Sequence, residues 1–500
     1  MAARHLFALA CAAGALGANS MARADEGSFK IGAPDCVIIN PSPHPGERTT
    51  WTGACRNGYA DGDGVLTWII DDVPSSHYDG HMTAGRPEGH GVYRYLDSGS
   101  SYEGGFHDGR RHGQGTLTQP DGNRLTGNFV DGVLAGEVQV TGLHGYRYAG
   151  GWRNMKPHGH GDITYNDGVR YVGEFVDGRR EGQGTMSSAA RTATGTWRAN
   201  ELAGDVEIAW TDGGRYRGGY QHGALNGEGQ LHYADGSDYQ GGFVDDQRQG
   251  QGTYKSPSGV RYTGGWVRNQ YEGEGHLVYA DTGRYDGGLR HGSRNGRGVL
   301  VGVDGAVRDG DWVEDLFDGQ GRMTRRDGTT YVGHWHAGRY DGEGVLTTAT
   351  GDVYTGRFAA GLVSGPCVLV DGDGTRTEGR WDRGELDGDI TFTPRGGRAS
   401  HARYRAGVLE GPWDVWTADG LHTTGRMLNG QLDGPVRFEY ANGEAATGRF
   451  AHGKPDGRWT VVEPDGSTRA VEFEGGEIKS GLLPGPAPEL PAIDRSHLRS

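Results

Sequence analysis

The run Tyr102-Glu-Gly104-Gly-Phe106-His-Asp108-Gly109-Arg-Arg-His112-Gly113-Gln-Gly115-Thr-Leu117 reads as one β-hairpin. Tyr102, Gly104 and Phe106 alternate with polar residues, Asp108-Gly109 provides a tight turn, and Gly113, Gly115 and Leu117 alternate again. Outward from it the same opening recurs. Tyr148-Ala-Gly150-Gly-Trp152, Tyr171-Val-Gly173-Glu-Phe175, Tyr216-Arg-Gly218-Gly-Tyr220, Tyr239-Gln-Gly241-Gly-Phe243 and Tyr262-Thr-Gly264-Gly-Trp266 follow, almost all 23 residues apart. Counted from that first position, eighteen units start at residues 51, 78, 102, 125, 148, 171, 193, 216, 239, 262, 285, 308, 331, 354, 377, 400, 423 and 446, with a frayed nineteenth near Arg469. Position 3 is Gly in 17 of the 18, Ala402 being the exception, and position 12 is Gly in all of them. One backbone problem is solved eighteen times.

The composition now makes sense. Ninety-five glycines in 500 residues exceed the ordinary share of about 7%, but 19 prolines and no three-residue rhythm exclude collagen. Forty-seven aromatic residues are too many for a chain that buries nothing. Asp-Gly pairs mark both connections: Asp108-Gly109, Asp131-Gly132 and Asp177-Gly178 in one turn, Asp121-Gly122, Asp167-Gly168, Asp235-Gly236 and Asp327-Gly328 in the other. The expected fold is all-β, an elongated single-layer antiparallel meander of about eighteen 23-residue hairpins, with the second strand of each read from position 12.

Positions 1 and 14 are correlated. Where position 1 is Tyr or Trp, position 14 is Gly; where it is Leu125, Ala193, Thr377, Ser400, Thr423 or Ala446, position 14 is Val138, Val206, Ile390, Trp413, Val436 or Trp459. Sixteen of eighteen units obey, the departures being Arg308 with Gly321 and Tyr354 with Cys367. The ring at position 1 is therefore expected to lie over the position-14 backbone, one side chain or the other filling a shared volume. Cys367 reads as a small apolar filler.

The ends differ from the middle. Arg4, the 13-residue apolar run Leu6 to Ala18 and Ala22-Arg23-Ala24 form a secretory signal peptide, its greasy segment too short to span a bilayer. Its removal takes Arg4 and Arg23 and no acid, leaving a net charge of −17 in place of −15. Cys36 and Cys55, 19 apart in a chain bound for an oxidising compartment, are expected to pair. The organisation is thus 1–24 signal peptide, 25–50 a cap segment containing Cys36, 51–376 repeats of the Tyr and Gly-x-Gly type, 377–480 divergent repeats, and 481–500 a flexible Pro-rich tail.

Tyr-x-Gly-x-aromatic followed by a Gly near position 8 and by His-Gly-Gln-Gly, as in residues 102–115, resembles the MORN (membrane occupation and recognition nexus) repeat. The resemblance covers residues 51 to about 476, is weaker after 376, and is taken as that of an exported bacterial MORN protein. It implies a β-hairpin meander with a scaffold role, dimerisation, and association with membranes and phospholipids.

Function follows as a binding reading. The expected partner is a protein held along an aromatic-lined ribbon, with Tyr78, Tyr102, Tyr148, Tyr171, Tyr216, Tyr239, Tyr262, Tyr285, Tyr331 and Tyr354 as candidate groove aromatics, and Gly113, Gly159, Gly182, Gly227, Gly250 and Gly273 as structural positions. Phospholipid headgroups or a cell-envelope glycan are the alternatives, and a homo-oligomer is allowed. The acidic charge argues against nucleic acid. An enzyme is disfavoured: no segment of 100 residues lies outside the repeats, and no Gly-Lys-Ser/Thr phosphate loop occurs. Asp61-Gly-Asp63 and Asp371-Gly-Asp373 lack the remaining calcium-loop ligands, and His158-Gly-His160 has no third partner in sequence, so no cofactor or metal is expected. The protein is expected in the periplasm or outside the cell.

Overall fold

The computed structural model describes residues 29–33, 36–40 and 44–483, so the expected signal peptide and the expected tail from residue 484 lie outside the described residues. It is almost wholly β-strand, with a single short 3-10 turn at Leu143–Gly145 among the described residues. The chain divides into two compact units, one ending at Gly223 and one beginning at Ala224. Both are antiparallel meanders of hairpins.

The hairpin of residues 102–118 shows the plan. Ser101–His107 runs to a two-residue turn in which Asp108 (φ 49°) and Gly109 (φ 78°) are both left-handed, and Arg110–Thr118 returns. This is the turn type whose twist matches paired strands, and it explains the Asp-Gly choice. The other connection works differently: Gly122 donates its N–H to Gln119 O (2.9 Å), and Asp121 Oδ1 accepts from the N–H of Asn123 at 3.0 Å. Asp167, Asp235 and Asp327 repeat that carboxylate contact in their own units.

The returning strand begins at position 9, three residues earlier than the alternation suggested. Arg111 pairs with Phe106, after which the register jumps to Gly115 opposite Gly104, so His112, Gly113 and Gln114 face Gly105 alone. Two extra residues are looped out, a bulge centred on position 12. Gly113 (φ 74°), Gly159 (80°), Gly182 (67°), Gly227 (87°), Gly250 (78°) and Gly273 (74°) all hold the left-handed backbone that this bulge requires.

In the first unit a small sheet covers the start of the meander. β1 (Phe29–Ala33) pairs with β2 (Cys36–Asn40), which pairs in parallel with β5 (Tyr59–Ala60), itself antiparallel to β4 (Cys55–Arg56). The Cys36–Cys55 disulfide forms as expected, tying β2 to β4. β3 (Arg48–Trp51) then pairs with β6 (Gly62–Ile70), and from there each strand pairs with the next along the chain. The core is a file of inward residues in which Leu66, Tyr78, Met82, Tyr102 and Phe129 are buried.

The second unit continues in kind to the strand Glu477–Ser480. The change of repeat type near residue 376 falls inside it, and pairing runs through that point, with Gly365 to Val370 opposite Trp381 to Arg376. Beyond it Ile390, Trp413, Val436 and Trp459 are the buried position-14 side chains. They end in a cluster with Val461, Val471 and Phe473.

Candidate functional site

Alternation in the first strand sends positions 1, 3 and 5 inward together. A Cβ placed on Gly104 would meet the Cα of Gly115 and lie 2.6 Å from Tyr102 Oη, and one placed on Gly275 would lie 2.5 Å from the Tyr262 ring. The rings of Tyr78, Tyr102, Tyr148, Tyr171, Tyr239, Tyr262, Tyr285 and Tyr331 thus lie over the two glycines that face each other across their hairpins. Where the ring is missing, the predicted exchange occurs: Ile390, Val436 and Trp459 lie against Gly379, Gly425 and Gly448. The departure at Arg308 is also explained, because the ring of Phe317, from position 10, covers Gly310 and Gly321 instead. Cys367 is buried over Gly356, and burial pushes its thiol up to about 12.

The ring is then gripped at both ends. Tyr102 meets Phe106 of its own unit edge-on at 5.2 Å and Phe129 of the next at 4.9 Å, Tyr171 meets Phe175 and Trp197 at 5.2 Å, and Tyr331 meets Trp335 and Phe358 at 5.1 Å. Its hydroxyl donates to the carbonyl three residues on, as in Tyr78 to His81 (2.8 Å), Tyr102 to Gly105 (3.0 Å), Tyr262 to Gly265 (2.8 Å) and Tyr331 to His334 (3.0 Å). Burial pushes the phenols of Tyr171, Tyr239, Tyr262 and Tyr285 up to about 12 and raises those of Tyr78, Tyr102, Tyr148 and Tyr331.

The ten candidate groove tyrosines therefore occupy a different place from the one expected. All of them, Tyr216 and Tyr354 included, are at most 2% exposed. They support the sheet from within, and in eight of the ten units the ring fills the slot that paired glycines leave. A ligand at the surface does not reach them.

Position 10 belongs to the same interior, which sequence reasoning missed. It carries leucine in six units (Leu134, Leu202, Leu225, Leu386, Leu409 and Leu432), proline in three (Pro87, Pro157 and Pro455), Ala60, Tyr271, Phe317, Tyr340 or Val363 in one each, and in four units Arg111, Arg180, Arg248 or Arg294. Each of these guanidinium groups stacks on the rings beside it: Arg180 lies 4.6 Å from Trp197, Arg248 4.2 Å from Trp266 and Arg294 4.4 Å from Trp312. The free donors go to the next turn, Arg180 to Asn200 O (2.9 Å), Arg248 to Asn269 O (3.2 Å) and Arg294 to Asp315 O (2.8 Å). The signal that marks the position is volume, since the residue types share no chemistry.

What faces outward is largely polar and paired across strands, with an exposed valine recurring at position 6 (Val130, Val176, Val244, Val267 and Val313). Thr116 and Thr126 share a hydrogen bond at 2.9 Å, Thr185 and Thr194 one at 3.0 Å, and Arg170 grips Asp162 through two donors at 2.9 and 2.6 Å, which holds that carboxyl below its usual range. His158 and His160 face separate carboxylates, Asp177 and Glu174, and Asp371 and Asp373 both accept from the N–H of Thr375. Among the described residues no three His, Cys, Asp or Glu side chains are grouped to hold a metal.

These features define a repeat protein made of β-hairpins with buried aromatic struts. The family model for the MORN repeat matches ten segments, residues 78–100, 102–124, 148–170, 171–190, 216–238, 239–261, 262–284, 285–307, 309–330 and 331–353, which supports a MORN-repeat protein. Solved structures that align to the chain include the TCP domain of SAS-4 of Drosophila Melanogaster with a proline-rich motif of Ana2 (12% identity, 33% of this chain and 77% of that chain, TM-score 0.17). A point mutant of the TCP10 domain of Danio rerio CPAP aligns at 12% identity over 62% of this chain and 99% of that chain (TM-score 0.11). A catalytically inactive virginiamycin B lyase from Staphylococcus aureus with quinupristin aligns at 11% identity over 71% and 98% (TM-score 0.10). At these scores the likeness carries no functional information.

Proposed function

We propose that the protein is an exported, non-enzymatic scaffold of bacterial MORN type that binds a partner protein along its outward sheet surface. The observation that carries this reading is the burial of the aromatic side chains: the most costly part of the sequence is spent on stiffening hairpins, and what repeats at the surface is a largely polar sheet with exposed valines at position 6. Such a surface suits an extended contact with few conformational costs on the scaffold's side. The Cys36–Cys55 bridge and the N-terminal signal-peptide sequence support a periplasmic or secreted location.

Crosslinking followed by affinity capture from the native envelope tests the reading. A protein crosslinked repeatedly to outward positions of the hairpins is the expected result. Pelleting of the chain with phospholipid vesicles, or retention on envelope polysaccharide, with no protein captured, replaces it with the lipid or glycan alternative.

A further inference from the structure

Position 4 faces outward, and in five consecutive units it is arginine: Arg357, Arg380, Arg403, Arg426 and Arg449. All five are exposed. In the earlier units of the same compact body position 4 is Gly242, Gly265, Gly288, Asp311 or His334, so the ladder begins abruptly. The strand register puts each arginine on the same line of the sheet: Arg380 lies opposite Pro366, Arg403 opposite Asp389, Arg426 opposite Pro412 and Arg449 opposite Pro435. Successive rungs are two strands apart, about 10 Å.

The bulge beside the ladder is altered to match. In the unit of Asp311, the position-13 N–H, that of Gln320, is bonded by the Asp311 carboxylate at 2.9 Å. An arginine at position 4 has no acceptor to offer. Position 13 is proline in three of the five arginine units, Pro366, Pro412 and Pro435, and in no other unit, so those three bulges carry no N–H at that point. The stems of Arg357 and Arg403 lie over the bulge glycines Gly365 and Gly411, which fixes their direction.

Neighbouring carboxylates do not use up the charges. Asp389 approaches Arg403 at 3.8 Å, while Asp387, Glu410 and Asp433 accept from the N–H groups of Ala406, Asn429 and His452. Among the described residues Arg357, Arg380, Arg426 and Arg449 make no ion pair.

We propose that this ladder binds an extended acidic segment of the partner protein, laid across the strands, with a carboxylate at every third residue held by successive guanidinium groups. The proposal rests on the scaffold reading above and specifies the chemistry of its partner. A guanidinium fork matches a carboxylate bidentately. In the polyproline II form of an extended chain three residues make one turn and advance about 9 Å, so every third carboxylate returns to the same face at close to the pitch of the rungs.

The test uses the full chain and fluorescent 16-residue peptides with glutamate at every third position, compared with peptides of the same composition with the glutamates clustered. Expected is preferential binding of the spaced peptide, weakened at least about tenfold by Arg380→Glu with Arg426→Glu. Arg261→Glu with Arg284→Glu, an equal charge change on exposed arginines off the ladder, should leave it nearly intact. Unchanged melting of both variants shows that folding is not the cause. Equal weakening by the two pairs, no preference for spacing, or retention of polygalacturonate in place of the peptide overturns the proposal. If the ladder variant still captures a native partner at the wild-type level, only the ladder falls. If neither chain captures one, the scaffold reading falls separately.

Discussion

At the scale of single residues, glycine does two distinct jobs here. Gly113 is required by its backbone: φ is 74°, and a Cβ there would meet nothing within 4 Å. Gly115 is required by space, because a Cβ there would overlap the Tyr102 ring, 2.5 Å from Cζ. Gly113→Ala should therefore cost about 1 kcal/mol of left-handed strain and no more. Gly115→Ala should cost more, and urea unfolding of the two variants checks the order. The same logic gives a sharper case at Gly344, where a Cβ would lie 2.5 Å from Tyr331 Cζ. Gly344→Val should destabilise by about 1–3 kcal/mol through overpacking. Adding Tyr331→Ala, which recreates the Ala193 and Val206 pairing already present in the chain, should recover part of that loss. A double-mutant cycle reads the coupling, and additivity would show that the two side chains do not share the volume.

At the scale of the hairpin, the structural unit is an interior layer fed from positions 1, 5 and 10. Positions 1 and 5 were legible in the sequence because their chemistry repeats, and the exchange between positions 1 and 14 was legible because one volume has two alternative occupants. The bulge and the inward turn of position 10 were not. Period-two alternation breaks at a bulge, and Arg248 and Leu225 look unrelated until both are seen filling the gap beside a ring. The same gap explains why the tyrosines read as groove aromatics: an alternating Tyr and Gly pattern does not say which of its faces is open. Arg248→Leu should then be tolerated within about 1 kcal/mol, since leucine serves the same place in other hairpins and the lost stacking is worth about as much. Arg248→Glu, which puts an anion against the faces of Trp266 and Tyr239, should lower the melting temperature clearly, as thermal unfolding followed by tryptophan fluorescence would show.

At the scale of the whole molecule, stability is distributed along the chain, and two interventions separate its local from its global parts. The Cys36–Cys55 bridge closes a loop of 19 residues within the cap, so its reduction should remove about 3 kcal/mol on a chain-entropy estimate from that segment alone. Hydrogen exchange should then rise in residues 36–60 and stay unchanged in the repeats of the second unit. The phenols act everywhere at once. Burial raises the Tyr171, Tyr239, Tyr262 and Tyr285 pKa values to about 12 and lifts those of Tyr78, Tyr102, Tyr148 and Tyr331, whereas in the unfolded chain a tyrosine titrates near 10. Above about pH 10 the unfolded state has released protons that the folded state retains, so stability, fully present below that pH, falls as pH rises toward 12. Each ionised ring would also lose the hydroxyl donor that bonds the carbonyl three residues on. Tyrosinate absorbance and far-ultraviolet circular dichroism followed together should change in one steep step between pH 10 and 12, with the signal of the buried rings appearing only as strand structure is lost. Gradual titration of every tyrosine near pH 10 with the β signal intact would mean that the rings are open to solvent and that the hairpins do not depend on them.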